Sequence, residues 1–285
     1  MQSIHTTVFY HGNCPDGATA ALAAWLKLGD EGVRYIPKLY DDAVVEDCTG
    51  QAVYILDFSF PISTMRRLDG ECAELNLLDH HETALEHLNG FKCRCGQIKL
   101  DMSKSGAMLA WEHFHPAAKA PALVAHIEDR DLWKFAHANT KEFLAAVDMA
   151  GYGNFRDLHQ YLNLTESEYL ALVSKGAHYL EKFNKMAQNI ADSALPISLL
   201  GHESFVVNCP TEFVSDVGNL LARKTGSMGV CFYVKGDSVK VSLRGVNDFN
   251  TRAIAEHYGG GGHKLASAFI IRLDQLSDLL NGNLI

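Results

Sequence analysis

The sequence lacks the features that mark membrane proteins and binders of long nucleic acids. No stretch approaches eighteen consecutive apolar residues, and the N-terminus has no charged-then-apolar signal pattern. The 285 residues include 25 Lys and Arg against 34 Asp and Glu, a net charge of −9. Such an acidic chain does not favour broad electrostatic binding to a polyanion. We therefore expect no membrane partner and no long nucleic acid, and a phosphorylated ligand would need local help from a metal or a few chosen cations.

Cysteine is sparse and unpaired in pattern. The seven Cys are odd in number and scattered, which indicates a reducing environment and predicts a cytoplasmic location. Cys93 and Cys95 form a C-x-C pair without a matching second pair, so a structural zinc is not favoured. The first glycine-containing turn is neither G-x-G-x-x-G nor a P-loop. Cradling of a dinucleotide cofactor or a nucleoside triphosphate is therefore not indicated.

Alternating strand and helix patterns occupy the first half of the chain. Hydrophobic residues make up 47% of the chain and charged residues 21%, as in ordinary globular proteins, and the length allows two domains. Short apolar runs predict strands, and periodic segments between them predict helices. This alternation predicts an α/β fold with a parallel sheet and helices on both faces. The strands are predicted at residues 7–10, 33–36, 52–56 and 75–78.

One apolar strand ends abruptly in three polar side chains, Asp79, His80 and His81. Neighbouring residues of a strand point to opposite faces, so two adjacent His cannot both fill a core cheaply. Imidazole is a common metal ligand, and a neighbouring carboxylate such as Asp79 can fix its tautomer. The alternative is a surface turn that happens to hold two His. In a parallel sheet the site lies beyond the carboxyl ends of the strands.

Two other strand ends carry ligand-type residues. Asp57 directly follows the apolar run 52–56, and the turn after the first strand holds His11, Cys14 and Asp16. Asp16 could instead cap the helix that follows. Because the carboxyl ends of parallel strands meet at one edge, we expect these side chains to converge with the His pair.

A fourth candidate segment is the acidic stretch around Arg130. Asp129 and Asp131 flank this arginine just before Trp133. The alternative is a helix end with a solvated Arg–Asp pair. We favour Asp129 over Asp131 because Asp129 directly follows the apolar segment 124–127.

The C-terminal third predicts a second, smaller α/β domain. A long helical pattern over 165–193 opens with a capping box from Thr165 to Glu168 and would connect the two domains. Four consecutive Gly, residues 259–262, precede His263 and Lys264, and exposed amides there would suit an anion. Arg244, at a strand end, could clamp the same phosphate. The alternative is a flexible glycine linker.

These motifs together resemble the DHH phosphoesterase family with its DHH-associated C-terminal domain. They fall in the family's order, and the resemblance covers nearly the whole chain. It is closest to short two-domain members that degrade very short oligonucleotides, cyclic-dinucleotide breakdown products or nucleoside bisphosphates. The resemblance implies a parallel-sheet catalytic domain at 1–150, a helical linker at 151–194 and a substrate-binding domain at 195–285. It also implies manganese, with two divalent ions.

The resemblance assigns roles to individual residues. It implies one metal site made of Asp16, Asp57, His80 and Asp129, with Asp57 bridging to a second metal held by His11. Asp79 would orient the imidazoles, and His81 would contact or polarise the scissile phosphate. The substrate's other phosphate would be held in the second domain, by Arg244, Gly260, Gly261, Gly262, His263 and Lys264.

One position departs from the family pattern. The family usually has Asp-x-Asp in the first loop, and here Cys14 replaces the first Asp. A thiolate is softer than a carboxylate and favours Zn or Fe over Mn. Either Cys14 is a ligand and the metal preference shifts, or the second metal site is weak.

We therefore expect a metal-dependent phosphodiesterase that cuts short oligonucleotides or linear dinucleotides to nucleoside 5′-monophosphates. Two divalent ions can activate a water and clamp the phosphoryl oxygens of a diester. A nucleoside bisphosphate phosphatase or a pyrophosphatase of the same metal chemistry stays open. So do a non-catalytic nucleotide sensor, a long-strand exonuclease working with a partner, and a homodimeric state.

Overall fold

The computed structural model describes residues 4–39, 42–44 and 46–284. The chain divides into two compact units, Met1–Leu180 and Glu181–Ile285. Each unit is built around one β-sheet. None of the helices in the described ranges combines the length and the apolar character that a membrane span requires.

The first unit contains a five-stranded sheet in the order β2-β1-β3-β4-β5. Every neighbouring pair in this sheet is parallel. The predicted parallel sheet is therefore confirmed, with one further edge strand, β5, that the sequence pattern did not predict. Its strands are β1 (Thr6–His11), β2 (Val33–Lys38), β3 (Ala52–Leu56), β4 (Glu74–Asp79) and β5 (Gly96–Leu100).

Helices cover both faces of this sheet, and they are α1 (Pro15–Leu28), α2 (Ile62–Glu71), α3 (Glu82–His87), α4 (Gly106–Phe114), α5 (Ala122–Asp131) and α6 (Thr140–Asp148). Leu77 and Leu78 of β4 are neighbours in sequence but belong to different apolar clusters, because successive strand side chains point to opposite faces. The cluster of Leu78 includes residues of α1, α4 and α5, and the cluster of Leu77 includes residues of α2.

The long helix α7 (Glu166–Asp192) begins in the first unit and ends in the second. Its start has the predicted capping box: the Thr165 amide donates to Glu168 Oε2 over 2.8 Å, and the Glu168 amide donates to Thr165 Oγ1 over 3.3 Å. The boundary between the two units thus falls inside the segment 151–194. The division into catalytic domain, linker and substrate-binding domain stays a prediction.

The second unit contains a six-stranded mixed sheet in the order β10-β11-β9-β8-β7-β6. Strands β7 and β8 pair in parallel, and the other neighbouring pairs of the described sheet are antiparallel. The strands are β6 (Leu195–Leu199), β7 (His202–Asn208), β8 (Met228–Lys235), β9 (Ser238–Gly245), β10 (Gly261–His263) and β11 (Ala266–Arg272). The helices are α8 (Val214–Thr225), α9 (Thr251–His257) and α10 (Leu276–Leu280).

Candidate metal centre

Three adjacent strands of the first sheet deliver polar side chains to one edge. Strand β1 ends at His11, β3 is followed by Asp57, and β4 ends at Asp79, just before His80 and His81. These strands lie side by side in the order β1-β3-β4 and run parallel, so their carboxyl ends meet. The convergence expected from the sequence is present.

Two groups of possible metal ligands share one carboxylate. Among the described residues, Asp16, Asp57 and His80 form one group, here called the inner cluster, and all three are buried. His11, Asp57 and His81 form the other, the outer cluster, in which the two His are partly exposed. Within each group the donor atoms all lie within 4.8 Å of one another. Asp57 belongs to both, which is the geometry of a bridging ligand.

Asp57 is held in a conformation that few residues adopt. Its φ is +65°, and its amide donates to the carbonyl of Leu78 over 2.9 Å. His80 Nε2 lies 3.2 Å from Asp57 Oδ1, and His11 Nδ1 lies 3.3 Å from Oδ2. Neither oxygen accepts a well-formed hydrogen bond within the described residues. A buried carboxylate held only by two long imidazole contacts is poorly compensated, so the arrangement fits a site for cations.

Helix α4 fixes the other inner carboxylate. The amides of Gly106 and Ala107, at the helix N-terminus, donate to Asp16 Oδ2 and Oδ1 over 2.6 and 2.9 Å. A Cβ at Gly106 would lie 2.5 Å from Asp57 Cβ, so only glycine allows this approach. The sequence analysis did not identify Gly106, because nothing local in the sequence marks a contact with the end of a strand so distant along the chain.

Asp79 organises the backbone and one imidazole at the end of β4. Its Oδ1 accepts hydrogen bonds from the amides of His80 and His81, over 2.7 and 3.3 Å. The same oxygen lies 2.7 Å from His81 Nδ1. Donation from Nδ1 leaves His81 Nε2 for a cation or a phosphoryl oxygen. Burial works to lower the pKa of His81, but the hydrogen bond and charge of Asp79 outweigh it and raise the pKa to about 9.

The inner carboxylates repel one another in a buried setting. Burial raises the pKa of Asp16, and the charges of Asp57 and Asp131 raise it further. Burial acts in the same sense on Asp57, but His11 and His80 beside it hold the pKa below its usual value. A divalent cation would relieve this repulsion and satisfy the orphaned oxygens of Asp57. Carboxylate and imidazole donors together suit Mn²⁺, Fe²⁺ or Zn²⁺ as well as Mg²⁺.

The structure places Asp131, rather than the predicted Asp129, beside the inner cluster. Asp131 Oδ2 lies 3.5 Å from His80 Nε2, and burial raises the pKa of Asp131 to about 6. Asp129 instead caps a turn: its oxygens accept bonds from the amides of Ala136 and His137 and from Thr140 Oγ1. The difference has a physical cause. Helix α5 runs on to Asp131, so Asp129 and Asp131, two residues apart, project from different sides of the helix.

Cys14 stands at the edge of the centre rather than in either cluster. It is the N-cap residue of α1 and makes no side-chain capping bond. It is absent from both ligand groups found among the described residues. Burial raises the pKa of the Cys14 thiol, and the charges of Asp57 and Asp16 raise it further. A ligand role for Cys14 stays a prediction.

In the second unit, two predicted phosphate ligands lie in one row of the sheet. His263 of β10 is paired with Ala266 of β11, and Ala266 is paired with Arg244 of β9. Directly opposed residues share a face, and strands are about 4.8 Å apart, so His263 and Arg244 emerge about 10 Å apart across a small side chain. Arg244 Nη2 donates to Ser215 Oγ over 3.1 Å. This row has the spacing to grip an anion from two sides.

Part of the glycine run is already hydrogen-bonded within the fold. The amides of Gly259 and Gly260 donate to the carbonyls of Glu256 and Ala255 in α9, over 3.0 and 2.8 Å. The next three residues, 261–263, form β10. The amide of Gly260 is therefore not available to an anion, and the glycines let β10 lie close to β11. Outside the run, Lys264 Nζ forms an exposed ion pair with Asp248 at 3.1 Å, which contributes little stability.

Comparison with known proteins identifies a domain match and several relatives. Residues 208–282 match the DHHA1 domain. The chain is 22% identical to oligoribonuclease NrnB of Bacillus subtilis (strain 168), over 90% of this chain and 71% of that protein. The chain therefore resembles the DHH phosphoesterase family. The resemblance predicted from the Asp79, His80 and His81 motif is confirmed by the DHHA1 match and by the Bacillus relative.

Two further relatives define the extent of the similarity. The uncharacterized protein R106 of Acanthamoeba polyphaga mimivirus is 29% identical over 91% of this chain, which spans 66% of that protein's length. The structure of RecJ from Thermus thermophilus, solved in complex with Mn²⁺, has a TM-score of 0.55 and 16% identity. That match covers 96% of this chain and 50% of RecJ. At such identity the RecJ structure supports the fold.

Proposed function

We propose that this chain is a metal-dependent phosphodiesterase that hydrolyses short oligonucleotides or linear dinucleotides to nucleoside 5′-monophosphates. The observation that carries the proposal is Asp57, a buried carboxylate whose oxygens accept no well-formed hydrogen bond and which belongs to both ligand clusters of the described residues. The name of the Bacillus relative, an oligoribonuclease, supports the substrate class. We propose Mn²⁺ as the working ion.

The residues of the centre would form two cation positions. Asp16, Asp57 and His80 would hold one cation, with Asp131 at its edge, and His11, Asp57 and His81 would hold the other. Cations bound there supply positive charge that neutralises the phosphoryl oxygens and lowers the pKa of the attacking water. Asp79 fixes His81 through Nδ1 and so aims Nε2 into the centre.

The second unit would bind the end of the substrate that does not react. Arg244 and His263 face the same side of the sheet, and Lys264 adds an exposed charge next to His263. An anion held by a guanidinium and an imidazole gains charge-assisted hydrogen bonds. Binding energy from this remote phosphate can be used to orient the scissile bond.

A substrate panel tests the proposal. The protein would be supplied with Mn²⁺ and offered a linear dinucleotide, a nucleoside 3′,5′-bisphosphate, pyrophosphate and long single-stranded DNA. We expect kcat/KM for the dinucleotide to exceed the others by at least about tenfold, with mononucleotides as the only products. A preference for the bisphosphate or pyrophosphate would replace the proposal with a phosphatase, and a preference for long DNA would replace it with an exonuclease.

A variant of Arg244 tests whether the second unit binds substrate without taking part in the chemistry. We expect Arg244→Ala to lower kcat/KM on the dinucleotide by roughly tenfold or more. Hydrolysis of bis-p-nitrophenyl phosphate, which has no second phosphate, should stay within a few fold. Equal loss on both substrates would mean that Arg244 supports the fold or the chemistry rather than binding.

A further inference from the structure

The turn that follows α5 exposes an aromatic side chain close in sequence to the metal centre. Trp133 is 44% exposed and comes two residues after Asp131, whose carboxylate lies 3.5 Å from His80 Nε2. Among the described residues of the first unit, the other exposed large apolar side chains are aliphatic. Exposing an indole to water is unfavourable, so its position at the edge of the centre requires an explanation.

The backbone of this turn is held in an unusual conformation by hydrogen bonds. Trp133 and Phe135 both have positive φ, 54° and 48°, which is rare for bulky residues. Every amide from residue 132 to residue 137 donates back to the end of α5, and four of the six donate to Asp129, through its carbonyl or its carboxylate. The strained conformation is held in place by this network, which presents the two aromatic residues from a fixed frame.

The network under the turn extends into the core. Thr140 Oγ1 donates to Asp129 Oδ2 over 2.6 Å and lies 2.8 Å from His126 Nδ1. His126 Nε2 in turn lies 3.1 Å from the hydroxyl of Tyr169 in α7. A buried chain of polar groups that is fully satisfied makes its surroundings rigid. Asp129, which was predicted as a ligand, thus supports the exposed turn.

The aromatic pair is backed by positive charge. The rings of Trp133 and Phe135 meet edge to face with centroids 4.9 Å apart, and Lys141 Nζ lies 4.4 Å from the centre of the Phe135 ring. Lys134, between the two aromatics, donates to the carbonyl of Ser103. Aromatic rings with cations alongside suit a ligand that has both a flat base and a phosphate.

We propose that Trp133, braced by Phe135 and Lys141, is the stacking platform for the nucleobase next to the scissile phosphate. The proposal rests on the proposed function and names the residue that holds the base. A nucleobase is joined to its phosphate through one sugar, and Trp133 follows a residue of the centre by two positions. Stacking on an indole is tolerant of base identity, because every base has a π-face. We therefore expect adenine, guanine and uracil dinucleotides to be cut at rates within a few fold.

Fluorescence of the full-length protein tests the contact without turnover. Adenosine 5′-monophosphate would be titrated in the presence of Mg²⁺, with ribose 5-phosphate as the probe that lacks a base. We expect the nucleotide to quench tryptophan emission and ribose 5-phosphate to leave it unchanged. The quenching should disappear in Trp133→Phe and persist in Trp25→Phe. Trp25 is the matched control because it lies near the far end of α1, about 15 Å along the helix from the centre.

Kinetics provide the second arm. We expect Trp133→Ala to lower kcat/KM on a linear dinucleotide by roughly tenfold or more, mainly through KM, and Trp133→Phe to stay within about threefold. Hydrolysis of an abasic analogue of the dinucleotide should be equal in all three proteins. Unchanged dinucleotide kinetics in Trp133→Ala, or an equal loss on the abasic analogue, would overturn the platform. If the parent protein cuts no dinucleotide, the proposed function fails, and the nucleotide titration alone decides on Trp133.

Discussion

The inner cluster of Asp16, Asp57 and His80 is buried, whereas the outer cluster keeps the side chains of His11 and His81 19% and 16% exposed. The inner cluster has two carboxylates and lies next to Asp131; the outer cluster has two imidazoles around the shared Asp57. Carboxylates favour hard cations such as Mg²⁺ and Mn²⁺, and imidazoles shift the preference towards Zn²⁺ and Fe²⁺. One centre therefore offers two unequal positions, and the outer one should exchange its ion more readily.

Removing the shared ligand should have the largest effect. We expect Asp57→Asn to lower kcat by more than about a hundredfold, because even the outer partners of metal ligands are commonly worth about 10- to 100-fold. Asparagine tolerates the positive φ at this position better than alanine does, so the variant should keep its fold. The assay is dinucleotide hydrolysis with Mn²⁺.

The control for this variant is Asp157→Asn, an exposed aspartate in the same unit. It should retain parental activity and thermal stability. Near-normal rates in Asp57→Asn, under conditions where the control is also active, would remove the basis for a shared cation site.

A comparison of His80 with His11 probes the inequality of the two clusters. We expect His80→Asn to lose about a hundredfold in activity and to resist rescue, because the buried inner position loses its imidazole. His11→Asn should lose about tenfold and recover as the Mn²⁺ concentration rises, since the outer position is open to solvent. The measurement is activity as a function of Mn²⁺ concentration. Identical Mn²⁺ dependence in the two variants would mean that the clusters are equivalent.

Asp131 and Asp129 should separate activity from stability. We expect Asp131→Asn to weaken Mn²⁺-dependent activity by about tenfold and to leave the melting temperature nearly unchanged. Asp129→Asn loses charge-assisted hydrogen bonds to Ala136, His137 and Thr140, so it should lower the free energy of unfolding by about 1–3 kcal/mol. Thermal denaturation and metal titration together check both. The reverse pattern would restore Asp129 as the ligand.

Substitutions of Cys14 should change activity least. They test the position at which the chain departs from the Asp-x-Asp pattern. We expect Cys14→Asp to raise Mn²⁺-dependent activity roughly two- to fivefold over Cys14→Ala, by adding a hard donor near the inner cluster. The metal content of the purified variants provides the second readout. If both variants match the parent in activity and metal content, Cys14 has no part in binding.

The sequence was sufficient for the strand ends but not for the contacts between elements. Asp57 and Asp79 were identifiable because each terminates an apolar run, and a parallel sheet brings such ends together. The edge strand β5 was missed because its residues, Gly96–Leu100, include Gly, Gln and Lys, and none of them is fully buried. The approach of Gly106 to Asp57 depends on packing between distant segments, which no local pattern encodes.

At two sites the structure shows contacts that the sequence could not. Helix α5 continues through Asp129 to Asp131, so the two carboxylates lie on different sides of the helix, and Asp131 is the one near His80. The role of the glycine run depended on whether its amides were already bonded, and α9 uses those of Gly259 and Gly260. Residue type alone suggested the chemistry in both places, but backbone hydrogen bonding decided which atoms were available.

The central claim, two cations joined by Asp57, is tested most directly by counting and coupling Mn²⁺. Electron paramagnetic resonance of the protein titrated with Mn²⁺ reports both the number of bound ions and their magnetic exchange through a shared ligand. We predict two ions per chain with an exchange-coupled signal in the parent protein, and no coupled signal in Asp57→Asn. A single bound ion, or two ions without coupling in the parent protein, would contradict the account.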